Sequence, residues 1–310
     1  MHQESPRRSG TERPRELPQT EDHKKVERVD TIQFAHEVMK NSPQVQGVEM
    51  RDFSTLYDVA RDEKKVATFK QRFAQDLDRM RPAERQASIE AKMMADVFEG
   101  LVYSGIKEKW FGDKVIAVRT APFDDILNGV DLVIEIGNAA GGKQHVALAI
   151  DVSFGVKSVP NKFRGILEKI DENKPTEVKY FQTKGFKGML TNVPRTVVGV
   201  ERDAVEKLAG LWLSTEADAA SRKQFQEHAI QLLILEQIVA QLEVFADYAN
   251  RDNAGDGERE EYVTMCDQTL ELLRPILEKK QETLSIAEFK HDRVHKEIVE
   301  GIEATRDATK

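Results

Sequence analysis

Several features that define large classes of proteins are absent from this chain of 310 residues. Its one cysteine, Cys266, excludes an intramolecular disulfide framework and a zinc site built from several cysteines. There is no run of 18 apolar residues and no apolar signal core near Met1. We therefore expect neither secretion nor a membrane span, and a soluble protein of the cytoplasm.

Charged residues are more frequent, and apolar residues less frequent, than in typical soluble proteins. Charged residues make up 32% and apolar residues 40% of the chain, against about 25% and 45–50% in typical soluble proteins. The net charge of −8 argues against a uniformly basic coat for nucleic acid. It leaves room for a local basic groove, because net charge averages over the whole chain.

The length is about twice the ~150 residues expected for one domain, and the composition changes along it. Residues 1–30 combine prolines with dense charge, which predicts a disordered tail. Residues 31–82 form a helical N-terminal segment in this interpretation, 83–213 a mixed core and 214–310 a helical C-terminal region. The N-terminal segment carries apolar side chains at helical spacing: Phe69, Phe73, Leu77 and Met80.

The mixed core has an order of elements that periodicity predicts. Hydrophobic spacing and turn residues indicate a helix over 83–103, strands over 114–119, 130–136 and 145–154, a helix over 157–173, a strand over 195–200 and a helix over 202–213. The run Gly137 to Lys143 matches the first seven positions of a phosphate-binding loop. Gln144 and a strand-like pattern follow it, so we interpret it as a glycine hairpin turn.

Two predicted strands place acids among apolar neighbours. The period of two puts Asp131 on one face with Val133 and Glu135, and Asp151 on one face with Ala149. Unpaired buried carboxylates are costly, and a hard cation bound by oxygen ligands would compensate for them. The alternatives are an internal ion pair or a solvated strand end. Glu99 on the preceding helix is a third candidate, and its alternative is an exposed helix glutamate.

This pattern resembles the PD-(D/E)XK nuclease superfamily, whose core has the order αβββαβ. Matching residues are Glu99 in Phe98-Glu99-Gly100, Asp131 in the segment from Gly129 to Glu135, and Asp151 in Ala149-Ile-Asp-Val-Ser153. The resemblance covers about residues 83–213. It implies an α/β (α+β) fold with a restriction-endonuclease-like core and helical extensions at both ends.

The resemblance also implies a site for Mg²⁺ or Mn²⁺. Asp131, Asp151 and Glu99 would bind the metal, with Glu135 as an alternative to Glu99 and the main-chain carbonyl of Val152 as a further ligand. A metal-activated water would attack the phosphodiester.

The lysine position of the family is occupied here by Ser153, so another residue must supply the charge. Lys157 and Lys162 are the candidates, and we favour Lys162 because the loop through Pro160 can turn it inward. The alternative is two solvated lysines at the start of a helix.

A basic segment follows the predicted site. Residues 157–187 hold eight lysines and arginines against four acids, with aromatic residues between the bases. Such a pattern is typical of backbone contact and base stacking, and we predict nucleic-acid binding by Lys169, Lys179, Lys184 and Lys187. DNA is favoured over RNA. An ordinary solvated loop is the alternative.

The C-terminal region offers two further features. His291 and His295 share one face of a predicted last helix, where a charged outer face is favoured over zinc binding because no third ligand is evident. The stripe from Leu235 to Phe245 has helical spacing and would pack either within the chain or against a second copy, which would form a homodimer.

Two hypotheses emerge from the sequence. The first is a metal-dependent nuclease that hydrolyses phosphodiester bonds in nucleic acid at Glu99, Asp131 and Asp151. The second is a catalytically degenerate protein of the same fold, which would act as a binding or assembly module through its C-terminal helices. The retained acids favour the first, and the missing lysine at Ser153 favours the second.

Overall fold

A computed structural model describes most of the chain: residues 21–42, 47–137, 142–151, 158–174, 176–251 and 257–309. The helices are α1 (Glu21–Asn41), α2 (Val59–Arg79), α3 (Pro82–Lys107), α4 (Ser158–Asp171), α5 (Arg202–Leu213), α6 (Ala219–Gln226), α7 (Ile230–Asn250), α8 (Gly257–Gln281) and α9 (Arg293–Asp307). Short 3-10 turns span Met50–Phe53 and Ala287–Phe289, and a π-helical turn spans Asp124–Asn128. The strands are β1 (Val115–Arg119), β2 (Leu132–Gly137), β3 (Lys143–Asp151), β4 (Thr176–Thr183), β5 (Phe186–Val193) and β6 (Arg195–Gly199).

The fold is a mixture of helix and sheet, as the sequence predicts at the level of α+β. A four-stranded sheet has the order β1-β2-β3-β6, in which β1, β2 and β3 are antiparallel and β6 runs parallel to β3. Helix α4 lies in the connection between β3 and β6. The strands β4 and β5 form a separate antiparallel hairpin, which is absent from the predicted order of elements.

Strand β2 has two buried faces, which confirms the predicted alternation. Leu132, Ile134 and Ile136 point into the main core against the helices. Val133 points the other way, into a smaller core beneath β4 and β5. A sheet covered on both faces requires nearly continuous apolar strands, which explains the composition of β2.

The glycine-rich run between β2 and β3 is followed by a strand. Lys143 begins β3, and its Cα pairs with Gly137 of β2 in the antiparallel register. A phosphate-binding loop requires a helix at this point. The hairpin interpretation is therefore confirmed, although residues 138–141 lie outside the described part of the chain.

The C-terminal helices belong to the same core as the sheet. Side chains of α3, β2, α5, α7, α8 and α9 form one cluster of buried apolar residues. Leu235, Ile238, Leu242 and Phe245 are all fully buried. The stripe on α7 therefore packs within the chain, and the boundary predicted at residue 214 does not separate two cores.

Helix α7 also covers the edge of the sheet at β6. The side chain of Gln241 accepts a hydrogen bond from Val197 N (2.8 Å) and donates one to Val197 O (2.7 Å). Gln237 does the same for Gly199, at 3.0 and 2.9 Å. Two glutamine amides thus take the place of a neighbouring strand, and they satisfy backbone groups that an edge strand would leave unpaired.

At the N-terminus, the boundary predicted at residue 30 falls inside α1, which begins at Glu21. Residues 1–20 lie outside the described residues. Helix α3 begins at Pro82, as expected for a proline in the first turn of a helix.

Among the residues that the structure describes, one stretch, Ala219–Asn250, is long and apolar enough to cross a membrane, but 78% of its most apolar window is buried inside the protein. This burial is consistent with the core of a soluble protein.

Candidate functional site

Three acids influence one another's pKa where α3 lies against the end of the sheet. Glu99 comes from α3, Asp125 from the π-helical turn, and Asp131 from the residue before β2. The backbone of Asp131 is fixed to the end of β1, because Thr120 N donates to Asp131 O at 3.2 Å. The Glu99 side chain is only 12% exposed, and Arg119 Nε, at the end of β1, donates to its Oε1 at 2.7 Å.

The adjacent residues Asp124 and Asp125 have different roles. Asp124 is fully buried, and its carboxylate accepts hydrogen bonds from Lys179 N (2.8 Å) and Tyr180 N (2.9 Å) of β4. It therefore fixes the turn to the β4–β5 hairpin. Asp125 instead makes a side-chain hydrogen bond with Asp131.

Burial and mutual repulsion disfavour the ionised form of the acids in this cluster. Burial raises the pKa of Glu99 to about 8, with help from Asp131 and Asp125, and it outweighs the opposing effect of Arg119. Burial also raises the pKa of Asp125, against the effect of Lys92. Burial and neighbouring acids thus disfavour the ionised form of Glu99 and of Asp125, and positive charge brought to the cluster would oppose that effect.

A second arginine lies beside the cluster. Arg195 begins β6, and burial lowers its pKa while the charge of Asp131 opposes that effect. Its Nε is buried and has no hydrogen-bond partner among the described residues. Gly129 makes room for it: a Cβ there would lie 2.7 Å from Arg195 Nη2, and the positive φ of 64° also favours glycine.

The remaining predicted site residues are only partly described. Asp151 ends β3, where its backbone pairs with Gly199 of β6, but its side chain lies outside the described residues. Val152, Ser153 and Lys157 lie outside them entirely. Lys162 is half-buried in the second turn of α4, and Pro160 lies in the first turn of this helix rather than in a loop.

The four lysines predicted to bind nucleic acid do not share one environment. Lys169 on α4 is half-buried, and burial and Arg195 lower its pKa. Lys184 is exposed in the turn between β4 and β5. Lys187 Nζ lies 5.0 Å from the ring centroid of Phe53.

Lys179 is used inside the fold. Its ammonium forms an ion pair with the buried Asp62 of α2 and lies 5.0–5.6 Å from the ring centroids of Tyr57, Phe123 and Tyr180. An ammonium held in this way is not available to a phosphate, so we leave Lys179 out of the proposed interface.

Glu135 lies at the far end of β2 and is bound there by other groups. Lys143 Nζ is 2.6 Å and His145 Nε2 is 3.3 Å from its carboxylate, and Thr183 Oγ1 donates to it at 3.1 Å. This internal network explains the buried acid without a metal. Glu135 is therefore not an alternative to Glu99.

The histidine pair does not form a shared helical face. His291 precedes α9, which begins at Arg293 and is capped by Asp292. His295 lies in the helix, with its Nδ1 3.4 Å from Gln237 Nε2. Within the described part of the chain, no group of three histidine, cysteine, aspartate or glutamate side chains is arranged to hold a metal ion. Asp151 falls outside that search.

Glu99 and Asp125 of the cluster line a cleft between α1, α2 and α3. Two adjoining cavities of about 600 and 640 Å³ share a wall formed by Glu99, Arg119 and Asp125. Sequence reasoning missed Asp125, Arg119 and Arg195. The pair Asp124-Asp125 before Gly129 was a usable signal, whereas nothing in the local sequence indicated the arginines.

In comparisons with known proteins, no family model, no curated protein and no solved structure matches this chain.

Proposed function

We propose that this protein is a metal-dependent nuclease with a restriction-endonuclease-like core, acting on phosphodiester bonds in nucleic acid, with DNA favoured over RNA. One observation carries the proposal. Glu99 of α3 and Asp131 at the start of β2 lie close enough that the charge of Asp131 raises the pKa of Glu99. These are two of the three acids that the resemblance to PD-(D/E)XK nucleases selects.

The order of elements supports the same core. From α3 onward the chain runs helix, three antiparallel strands, helix, and then a strand parallel to the third, with the β4–β5 hairpin inserted before that last strand. The connection through α4 brings Arg195 of β6 beside Asp131. The αβββαβ order would thus gather residues from four elements at one end of the sheet.

The donor set suits a hard cation. Glu99, Asp131 and Asp151 would hold it through carboxylate oxygens, with the Val152 carbonyl as a further ligand. When bound, Mg²⁺ or Mn²⁺ supplies Lewis acidity and lowers the pKa of a bound water. The raised pKa of Glu99 supports this assignment, because a bound cation would stabilise the ionised carboxylate that burial disfavours.

The side chains of the protein would prepare the reaction. Arg119 fixes the orientation of Glu99 through its 2.7 Å hydrogen bond. Arg195 supplies positive charge next to Asp131, which would stabilise charge that builds up on a phosphate. In this proposal Lys162, or Lys157, orients the attacking water in place of the lysine missing at Ser153.

The decisive experiment combines cleavage with metal binding. Wild-type protein is incubated with supercoiled and single-stranded DNA in Mg²⁺ or Mn²⁺, beside Asp131→Asn and the exposed-loop control Asp113→Asn. We expect nicking by wild type and by the control and none by Asp131→Asn. Intact substrate with wild type under both metals would refute the nuclease.

Calorimetry tests the site independently of turnover. Titration of Mg²⁺ at pH 7 in two buffers of different ionisation enthalpy should reveal proton release, since Glu99 must lose its proton to bind the metal. Equal, negligible heats for wild type and Asp131→Asn would remove the metal site.

One observation favours the second candidate, a degenerate protein of the same fold that binds without cleaving. The Arg119 guanidinium already pairs with Glu99 at 2.7 Å, and it can neutralise that acid in place of a metal. Such a protein would bind nucleic acid equally well in EDTA and in Mg²⁺. A homodimer remains a prediction for this candidate, and it would need a surface other than the buried α7 stripe.

A further inference from the structure

The apolar stripe of α2 continues beyond the part of the helix that packs into the protein. Val59 and Val66, in the first half of α2, are buried. Phe69 and Phe73, at the following positions of the same stripe, are 45% and 43% exposed. Both rings line the cleft that contains Glu99 and Asp125. They are one helical turn apart and thus neighbours on one face.

Two lysines flank these rings. Lys40 of α1 and Lys70 of α2 line both cavities of the cleft. Other cations in the cleft wall are paired: Lys92 with Asp96 at 3.2 Å, and Arg51 with Glu63 at 3.5 Å. Among the described residues, neither Lys40 nor Lys70 forms an ion pair. The cleft therefore presents two ammonium groups outside ion pairs, beside exposed aromatic rings and the acids of its wall.

We propose that this cleft binds an unpaired segment of a nucleic-acid strand, and that the substrate of the proposed nuclease is therefore single-stranded or locally unpaired. The inference rests on the proposed function. A base would stack on Phe69 or Phe73, while Lys40 and Lys70 contact the neighbouring phosphates. The strand would lead a phosphodiester towards Glu99 and Asp131.

The size and chemistry of the cleft favour this occupant over a duplex. The two cavities, of about 600 and 640 Å³, have the volume of small-ligand sites, about 300–1,000 Å³. That suits one or two nucleotides. Stacking on an aromatic side chain also needs a free base face, which bases inside a duplex lack. Paired aromatic rings and lysines are the arrangement that single-strand binding requires.

The first test measures binding of a 12-nucleotide single strand, labelled with fluorescein or carrying one 2-aminopurine, and of the matching duplex. Ca²⁺ replaces Mg²⁺ to prevent cleavage. The double variant Phe69→Ala/Phe73→Ala should weaken single-strand binding by about 5- to 100-fold, given the contribution of stacking on an aromatic side chain. It should also abolish the 2-aminopurine quenching. Phe69→Tyr/Phe73→Tyr keeps both rings and should bind as wild type does.

A matched control exists on α1. Phe34 is 58% exposed and lines a different cavity, so Phe34→Ala removes an exposed ring of the same kind and should leave binding unchanged. Thermal melting of each variant checks the fold.

The contribution of the two lysines is measured by the salt dependence of binding. For a single strand, the slope of log affinity against log salt should fall by about 0.7 for every phosphate that a variant no longer neutralises. We expect this reduction for Lys40→Gln and for Lys70→Gln. Lys64→Gln, on the opposite side of α2, should leave the slope unchanged.

The outcomes separate this inference from the nuclease itself. If DNA is cleaved but the phenylalanine variants bind like wild type, or the duplex binds more tightly than the single strand, the inference fails and the nuclease stands. If no metal supports cleavage but single-strand binding depends on Phe69 and Phe73, the nuclease fails and the binding cleft stands. Binding of an apolar dye that requires both rings, without binding of any oligonucleotide, would assign the cleft to an apolar partner and overturn the inference.

Discussion

Replacing Glu99 by glutamine should stabilise the protein at alkaline pH while removing its proposed metal site. The glutamine Oε1 can still accept the hydrogen bond from Arg119 Nε, so the substitution removes the charge and leaves the contact. The substitution should thus raise the stability of the fold and abolish the proposed metal binding. Such a trade-off is expected where charged residues serve a function at a cost in stability.

The magnitude follows from the pKa of Glu99. It rises from 4.5 to about 8 in the folded protein, and each pKa unit corresponds to about 1.4 kcal/mol. Between these values the folded state holds a proton that the unfolded state has lost, so the free energy of unfolding falls as pH rises. The full loss is roughly 5 kcal/mol by pH 8. Asp125 and Asp131 share the repulsion, so we expect roughly 2–5 kcal/mol for the single substitution.

Urea unfolding followed by tryptophan fluorescence measures the effect. At about pH 3.5 and below the acid is protonated in both states, so Glu99→Gln and wild type should unfold at similar urea concentrations. The variant should become the more stable one as pH rises to 8.5. Glu90→Gln, a half-exposed acid on the same helix whose carboxylate lies 3.7 Å from Arg202, is the control and should show no such widening. A Glu99→Gln variant that is less stable than wild type at pH 8.5 would refute the reasoning.

Three further predictions concern the fold around the site. Gln241→Leu should lower the free energy of unfolding by roughly 2–5 kcal/mol in urea, because it leaves the buried N–H and C=O of Val197 unsatisfied. Asp62→Asn should cost about 3 kcal/mol by leaving the Lys179 ammonium unpaired, and adding Lys179→Met should restore most of it in a double-mutant cycle. Burial raises the pKa of Cys266 to about 12, so a thiol reagent should fail to label it at pH 8 until urea unfolds the protein.

The elements with strong periodicity were predictable from the sequence. The strands β1, β2, β3 and β6 lie within a few residues of their predicted positions, because β-branched runs bounded by turn residues strongly favour strands. The β4–β5 hairpin was not predicted. Its first strand alternates buried Thr176, Val178 and Tyr180 with lysine and glutamate, and in sequence this alternation is hard to distinguish from a basic loop with interleaved aromatics.

The site was predictable only in part, because proximity between distant residues is a property of the whole fold. The period of two identified Asp131, and helical spacing identified Glu99. Neither pattern could reveal that Arg119 would pair with Glu99, since that contact depends on how α3 crosses β1. The sequence also could not show that Phe69 is exposed. Apolar residues at helical spacing predict a buried face, but they do not show how much of that face another element covers.

The C-terminal helices have a structural role at the site, which neither hypothesis from the sequence assigned to them. The amides of Gln237 and Gln241 join α7 to β6 along its free edge. Strand β6 in turn begins with Arg195, whose charge acts on Asp131. A substitution such as Gln241→Leu should therefore weaken the proposed metal binding as well as stability, although the hydrogen bonds of its side chain go to Val197 and Gln237. These helices are then part of the scaffold that positions the acids, and their removal should abolish the site together with the fold.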